Sequence, residues 1–341
     1  MTKQLRLSTA LLTLLALAIV YGLGTTFINV EIERLFERTI TPYIVASPQV
    51  EQLNRDIFSG IDQFMSSRHI RVIGYSCFAV MIALAVTGLI THKKGLASLG
   101  SIGFILTIYA YFVIHMSFLA GLGILSALWL PMWGEFVNLG DIAYLPYMIL
   151  VYPFSMIGID IRLTLAGLLI SLGLLIFVLG IAAWFYARFQ SRGTADFWIY
   201  KFTRHPQYLG WIVWSYGLML RASFSRGIAL HNTNPGASFP WVISTLIIVC
   251  IALSEESRMG RERGSEYEHY RASAPFMLPL PRLLIQAISA PFKLVLKKDR
   301  PASGGDLLWT FIIYLVVIIV LSLPFVLFDW PSGGSWSDWP F

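Results

Sequence analysis

The stretch from Tyr200 to Trp211 reads "YKFTRHPQYLGW" and lies between two apolar runs of a chain that otherwise avoids charge. Its Arg204-His205-Pro206 step stands at the mouth of a hydrophobic segment, "QYLGWIVWSYGLML". Proline suits the first turn of a helix, where a missing N–H costs nothing. A helix is therefore predicted to begin at about His205 and to run through that segment. The first amides of such a helix carry partial positive charge and can receive a carboxylate or phosphate. Arg204 adds a full charge beside them, and Tyr200, His205 and Tyr208 supply aromatic surface with polar tips. Gly210 removes a side chain one turn in, so another backbone or a ligand can approach closely. Taken alone, the stretch describes equally well a capped helix with a snorkelling arginine and interfacial aromatics.

The rest of the chain decides the setting. Its 341 residues are 56% hydrophobic and only 13% charged, against roughly a quarter charged in ordinary soluble domains. That deficit points to an integral membrane protein. The net charge is +6, but the excess Lys and Arg lie in short segments between apolar runs. Orientation in a bilayer explains them, and no basic tract interleaves aromatics as nucleic-acid binding would need. Cys77 and Cys250 fall inside apolar runs and read as small buried hydrophobes. The six histidines are scattered, so no metal site is expected. The opening "MTKQLRLSTALLTLLALAIVYGLG" has an apolar stretch nearer a spanning length than a signal h-region, and is read as a retained first helix.

The expected fold is all-α, a polytopic transmembrane helix bundle. About 20 apolar residues cross a bilayer as a helix. Seven spans are expected at 7–29, 71–91, 98–129, 162–187, 206–222, 239–255 and 306–328, with eight possible if 98–129 is broken. The stretch 142–158 carries Pro146 and Pro153 and is read as re-entrant or interfacial. Lys3, Arg6, Lys93 and Lys94 put the N-terminus and the loop after the second span inside, and the basic loops 188–205 and 258–300 should be cytoplasmic as well. The acidic and basic segment 31–70 is expected on the outer side, its "VEIERLFERTI" start either amphipathic or a solvated loop. The division is then 1–160 as an N-terminal transmembrane region, 161–280 as a core, and 281–341 as a basic linker with an extra helix.

The span 239–255 ends in "LSEESRMGRERGSEYEHYRASAPFMLP", with Glu255 and Glu256 at the membrane edge. Two adjacent carboxylates are costly to desolvate there. If the helix ends at them, its dipole disfavours them further. A nearby cation would offset both, either Arg204, Arg258 or Arg261, or the ammonium or sulfonium of a ligand. A short connection after 206–222 makes the two spans an antiparallel hairpin and brings His205 and Glu255 to one face. A ligand with both an amino and a carboxylate group would fit between them.

Tyr200-x4-His205-Pro206-x-Tyr208-x-Gly210, the Glu-Glu pair, then Gly264-x-Glu266-Tyr267-x-x-Tyr270-Arg271 and Pro279 follow in that order. This pattern resembles the membrane methyltransferases of the isoprenylcysteine carboxyl methyltransferase and phospholipid N-methyltransferase superfamily, over about 162–280. The resemblance implies a methyltransferase core and S-adenosylmethionine as methyl donor, bound on the cytoplasmic side. It implies cofactor contacts from Tyr200, His205, Pro206, Gln207, Tyr208 and Gly210. Glu255 would bind through the ammonium with Glu256 supporting, and Tyr267 and Tyr270 would belong to a lid-like segment. The acceptor it implies is a membrane lipid or another amphiphile, with no nucleic-acid partner.

The chain departs from the family's eukaryotic carboxyl methyltransferases at Ile251, where an arginine would stand near the substrate carboxylate. That puts a prenylcysteine carboxylate substrate in doubt. No catalytic base follows from the sequence; Glu256 and Tyr208 are the candidates for it, and Arg204 is a further candidate catalytic residue. Two rivals stay open. A sterol-type NADPH-dependent reductase shares His-Pro-x-Tyr, but Gln207 and Trp211 stand where its Asn and final Glu would. A non-catalytic membrane protein is the other, although no other span shows the paired charges of an ion path.

Overall fold

A computed structural model describes residues 67–115, 142–190, 195–224 and 238–327, together with Gln52. Among the described residues the regular structure is entirely helical. In chain order the helices are α1 (Arg68–Ile90), α2 (Lys94–His115), α3 (Leu145–Ser155), α4 (Arg162–Phe189), α5 (Pro206–Phe224), α6 (Ser238–Arg263), α7 (Ser265–Ser273), α8 (Arg282–Leu296) and α9 (Gly304–Leu327), with a 3₁₀ turn at Trp198–Lys201 before α5. Four of them are long and apolar enough to cross a membrane, over Val72–Ile90, Arg162–Phe189, Ser238–Arg263 and Gly304–Pro324. The expected run at 7–29, all of 31–66 except Gln52, the second half of 98–129, Asp141 and most of the connection at 223–238 lie outside the described residues.

Two hairpins and a central helix make the body. In the first hairpin, α1 and α2 meet through small residues. A Cβ on Gly88 would stand 2.2 Å from the Ala97 nitrogen, and one on Gly100 would stand 3.0 Å from the Ala85 Cβ. In the second, α4 buries Ala166, Gly173, Gly180 and Ala187 at intervals of seven residues, and α5 answers with Gly210 and Gly217. A Cβ on Gly210 would stand 2.4 Å from the Phe177 nitrogen, and one on Gly173 would stand 2.2 Å from the Trp214 nitrogen. Small-residue faces of this kind let helix backbones approach closely, which is how apolar helices associate where no hydrophobic force separates protein from solvent. The space opened by Gly210 is thus filled by the α4 backbone.

Helix α6 is the hub. It buries Phe239, Val242, Ile243, Ile247, Cys250 and Ile251, touches α2, α5 and α9, and is the most enclosed of the four long apolar helices. Ile251, at the position of the missing arginine, is a core residue. Helix α3 runs for 11 residues, about 16 Å at 1.5 Å per residue, well short of the ~30 Å hydrocarbon thickness. It begins at Leu145, carries Pro146 in its first turn and contains Pro153, in keeping with an interfacial or re-entrant segment. Arg162, at the start of α4, is held by Asp160 at 2.8 Å.

Helix α6 does not stop at the Glu pair. It continues to Arg263, so Glu255 and Glu256 lie two turns inside it and escape the unfavourable end of its dipole, which acts within the last turn. What ends the helix is Gly264. Its φ of 55° is in the left-handed region, where glycine alone carries no Cβ penalty. The chain turns there into α7.

Candidate functional site

Four segments meet at one end of the bundle: the α1–α2 turn, the 3₁₀ turn leading into α5, the last third of α6, and α7. Helix α5 opens at Pro206, with its first helical bond from the Leu209 N–H to the His205 carbonyl at 2.9 Å. The backbone just ahead is pinned by the Arg204 N–H donating to the Pro275 carbonyl at 3.0 Å. Gly180 of α4 packs against Pro206 and the Gln207 nitrogen, each about 3.0 Å from where its Cβ would be. The Gln207 side chain donates to the Gly180 carbonyl at 3.4 Å. One face of the first turn of α5 is therefore covered by α4, which leaves Arg204 as the main positive group there.

Glu256 is the centre. Its side chain is 4% exposed, and the Arg204 guanidinium approaches it at 2.9 Å with 8% exposure of its own. His205 Nε2 lies 3.0 Å from Oε1, the Tyr267 hydroxyl donates to Oε1 at 2.7 Å, and Arg271 Nε stands 3.3 Å from Oε2. One carboxylate thus ties α5, α6 and α7 together. The motif spacing follows from this. After the Gly264 turn, Tyr267, Tyr270 and Arg271 fall at i, i+3 and i+4, one face of a short helix, and that face carries all the contacts α7 makes here. The Tyr270 hydroxyl donates to the Tyr200 carbonyl at 2.9 Å. Burial pushes the phenols of Tyr200, Tyr267 and Tyr270 above their ordinary range, with Glu256 adding to the effect at Tyr267 and Tyr270. All three stay protonated, and Tyr267 and Tyr270 act as donors.

Arg204 is incompletely used. Burial lowers its pKa, an effect that Glu256 opposes. The contact of Nη1 with Glu256 is ionic, and neither Nη1 nor Nε makes a hydrogen bond although both are buried. Buried donors of this kind are costly unless something accepts from them. The guanidinium also lies 5.9 Å over the Phe276 ring, and the same ring meets His205 edge-on at 5.2 Å.

Glu255 has a different environment. It is 21% exposed and pairs with Lys94 at the start of α2. His205 Nδ1 is 3.8 Å from its Oε2, and Tyr208 hydrogen-bonds to it. The neighbouring Ser254 hydroxyl is 3.1 Å from His92 Nδ1. His205 therefore sits between the two carboxylates, stacked on Tyr208 with ring centres 5.7 Å apart.

Of the sequence-predicted residues, Tyr200, Arg204, His205, Tyr208, Glu255, Glu256, Tyr267 and Tyr270 come together. Pro206 and Gln207 adjoin them, and Gly210 faces α4 instead. Arg258 and Arg261 do not serve the Glu pair: Arg258 is 3.8 Å from Glu262, and Arg261 donates to the Ser257 hydroxyl at 3.1 Å. The cations that do serve it beside Arg204 are Lys94 and Arg271, which sequence reasoning missed. Arg271 was legible as the i+4 partner of Tyr267. Lys94 carried only its membership of an inner basic loop. Among the described residues no group of His, Cys, Asp or Glu could hold a metal ion.

No protein-family model, curated protein or solved structure matches the chain.

Proposed function

We propose that the chain is a multi-pass integral membrane protein that transfers a methyl group from S-adenosylmethionine to a lipid-like or small apolar acceptor, at the cytoplasmic face of the bilayer. The observation that carries this reading is the meeting of Arg204, with buried donors to spare, and Glu255, a part-exposed carboxylate, on either side of His205. An amino acid headgroup needs that pair: a guanidinium for its carboxylate and a carboxylate for its ammonium. The aromatic rings of Tyr200, Tyr208, Tyr267 and Phe276 stand around them. The order of the motif adds to this through its resemblance to the membrane methyltransferases.

On this reading the two glutamates divide the work. Glu256 is committed to four partners and fixes Arg204, His205 and α7 in place. Glu255 is the ligand-facing carboxylate, and the ligand's ammonium takes the position of the Lys94 ammonium. The bound donor supplies an electrophilic methyl on a sulfonium, whose positive charge is lost as the methyl moves. The protein's part is alignment, and holding the two reactants in line is worth roughly 7–11 kcal/mol. Where the acceptor is an amine or thiol, a proton must also leave it. Tyr208, hydrogen-bonded to Glu255, is the group we assign to relay it. The buried Ile251 offers no charge to an acceptor carboxylate, which favours an uncharged or amine-bearing acceptor.

The test is transfer of labelled methyl from S-adenosylmethionine into a total lipid and small-molecule extract by purified protein. Label appearing in an extractable product supports the reading and identifies the acceptor. A chain that transfers no label, and is stabilised against heat by NADPH alone, is a reductase and overturns it.

A further inference from the structure

Lys94 holds its place at the site through its ion pair with Glu255, and it stands where a cation is disfavoured. It is the first residue of α2, whose first turn carries no acid. The amides at a helix start bear partial positive charge and repel an ammonium. Glu255 of α6 offsets that repulsion. The two side chains are 28% and 21% exposed, so water reaches the pair and weakens it. Arg204 and Glu256, at 8% and 4%, are shut away from solvent by comparison.

The backbone under Lys94 is fixed. A Cβ on Gly88 of α1 would stand 2.2 Å from the Ala97 nitrogen of α2, and one on Gly304 of α9 would stand 2.2 Å from the Ile90 carbonyl oxygen. His92 Nδ1, 3.1 Å from the Ser254 hydroxyl, ties the intervening turn to α6. Movement at Lys94 is therefore confined to its side chain. The flexible four-carbon stem can swing the ammonium into water without disturbing a helix. Glu255 is left with the Tyr208 hydroxyl, which donates to it. Across His205 from it stands Arg204, with Nε and Nη1 buried and making no hydrogen bond. The site thus has two halves, and the protein's own ammonium fills the acidic one.

We propose that Lys94 is a built-in competitor for the ammonium of the ligand. It neutralises Glu255, yields to a ligand that brings an ammonium of its own, and returns as that ligand leaves. This rests on the reading of Glu255 as the ligand-facing carboxylate. It makes Lys94 a determinant of affinity and of ligand choice. A ligand with a carboxylate and no ammonium leaves the lysine in place and gains only the Arg204 half. A spent methyl donor keeps its amino and carboxylate groups, so the returning lysine opposes its retention as well.

The experiment titrates the purified full chain with S-adenosylmethionine in one detergent. The native chain is compared with Lys94→Met and Lys94→Gln, which remove the charge, and with Lys94→Arg, which keeps it. The two neutral variants are expected to bind about fivefold more tightly, the equivalent of about 1 kcal/mol of pairing that the ligand no longer displaces. Their unfolding midpoints should stay close to that of the native chain, and Lys94→Arg should keep the native affinity. Saturable binding by the native chain with equal or weaker binding by both neutral variants overturns the competitor and leaves the reading of the site standing. Lys94→Arg binding as tightly as the neutral variants also overturns it, because the gain would then not come from the charge. Absence of binding by every chain overturns the reading of the site and the competitor with it.

Discussion

Glu256 and Glu255 are adjacent in sequence and opposite in physics. Glu256 is buried against two arginines, a histidine and a tyrosine, so removing its charge strands the buried Arg204, whereas Arg271 keeps Glu268 as a partner. Breaking a buried pair by deleting one partner costs about 3–5 kcal/mol. Glu256→Ala should therefore lower stability by roughly that amount, read as a fall in the unfolding midpoint in detergent. Glu255→Ala, at a part-exposed pair with Lys94, should cost about 1 kcal/mol. The phenols add a pH dependence. Tyr200, Tyr267 and Tyr270 have pKa values raised on folding, principally by burial. Above about pH 10 the unfolded chain releases these protons and the folded chain keeps them, so stability falls with rising pH. Tyr267→Phe should make that alkaline decline shallower, measured as unfolding midpoint against pH from 8 to 11.

At the scale of the element, the α4–α5 hairpin is set by what is missing from its glycines. Gly210→Ala would bring a methyl to 2.4 Å from the Phe177 nitrogen, and backbone cannot step aside as a side chain can. Overpacking of this kind costs about 1–3 kcal/mol. Gly167, on the same α4, has nothing within 4 Å of its added Cβ. Gly167→Ala should be neutral or stabilising by up to about 1 kcal/mol through helix propensity. A pair of thermal melts separates the two cases. Length and apolarity were enough to read α1, α4, α6 and α9 from the sequence, and Pro206 was enough to start α5. The end of α6 was not legible, because the polar run after Glu255 looks like a loop. Its helicity is sustained by Glu256, buried against α5 and α7, and by Gly264, which defers the turn. The role of Gly210 was likewise legible only as a close approach. Whether the approaching group was backbone or ligand depended on α4, and so on the seven-residue register of Gly173 and Gly180.

For the whole molecule, the ion pair of Lys94 with Glu255, the His92–Ser254 contact and the Gly304–Ile90 packing gather four chain segments at one end. The α3–α4 connection lies at the other end of α4. On the multi-pass reading, Lys93 and the exposed Phe202 face the cytoplasm, and the exposed Ile157 faces outward. In a Cys77→Ala background, Lys93→Cys and Phe202→Cys should react with an impermeant thiol reagent only from the cytoplasmic side of oriented vesicles, and Ile157→Cys only from the other. All three reacting from one side would contradict the topology. The proposed sidedness rests on the basic loops of the sequence. The sequence did not hold the identity of the cations at the site, because Lys94 is more than 150 residues from Glu255 and only the packing of α2 on α6 brings them together.

The central claim is that Arg204 and Glu255 grip the two ends of an amino acid headgroup. It is tested most directly by titrating purified protein with S-adenosylmethionine, comparing the native chain with Glu255→Ala in the same detergent. Saturable binding by the native chain, lost in a Glu255→Ala variant whose unfolding midpoint is nearly unchanged, is the predicted result. No binding by the native chain, or equal affinity in the variant, would contradict it.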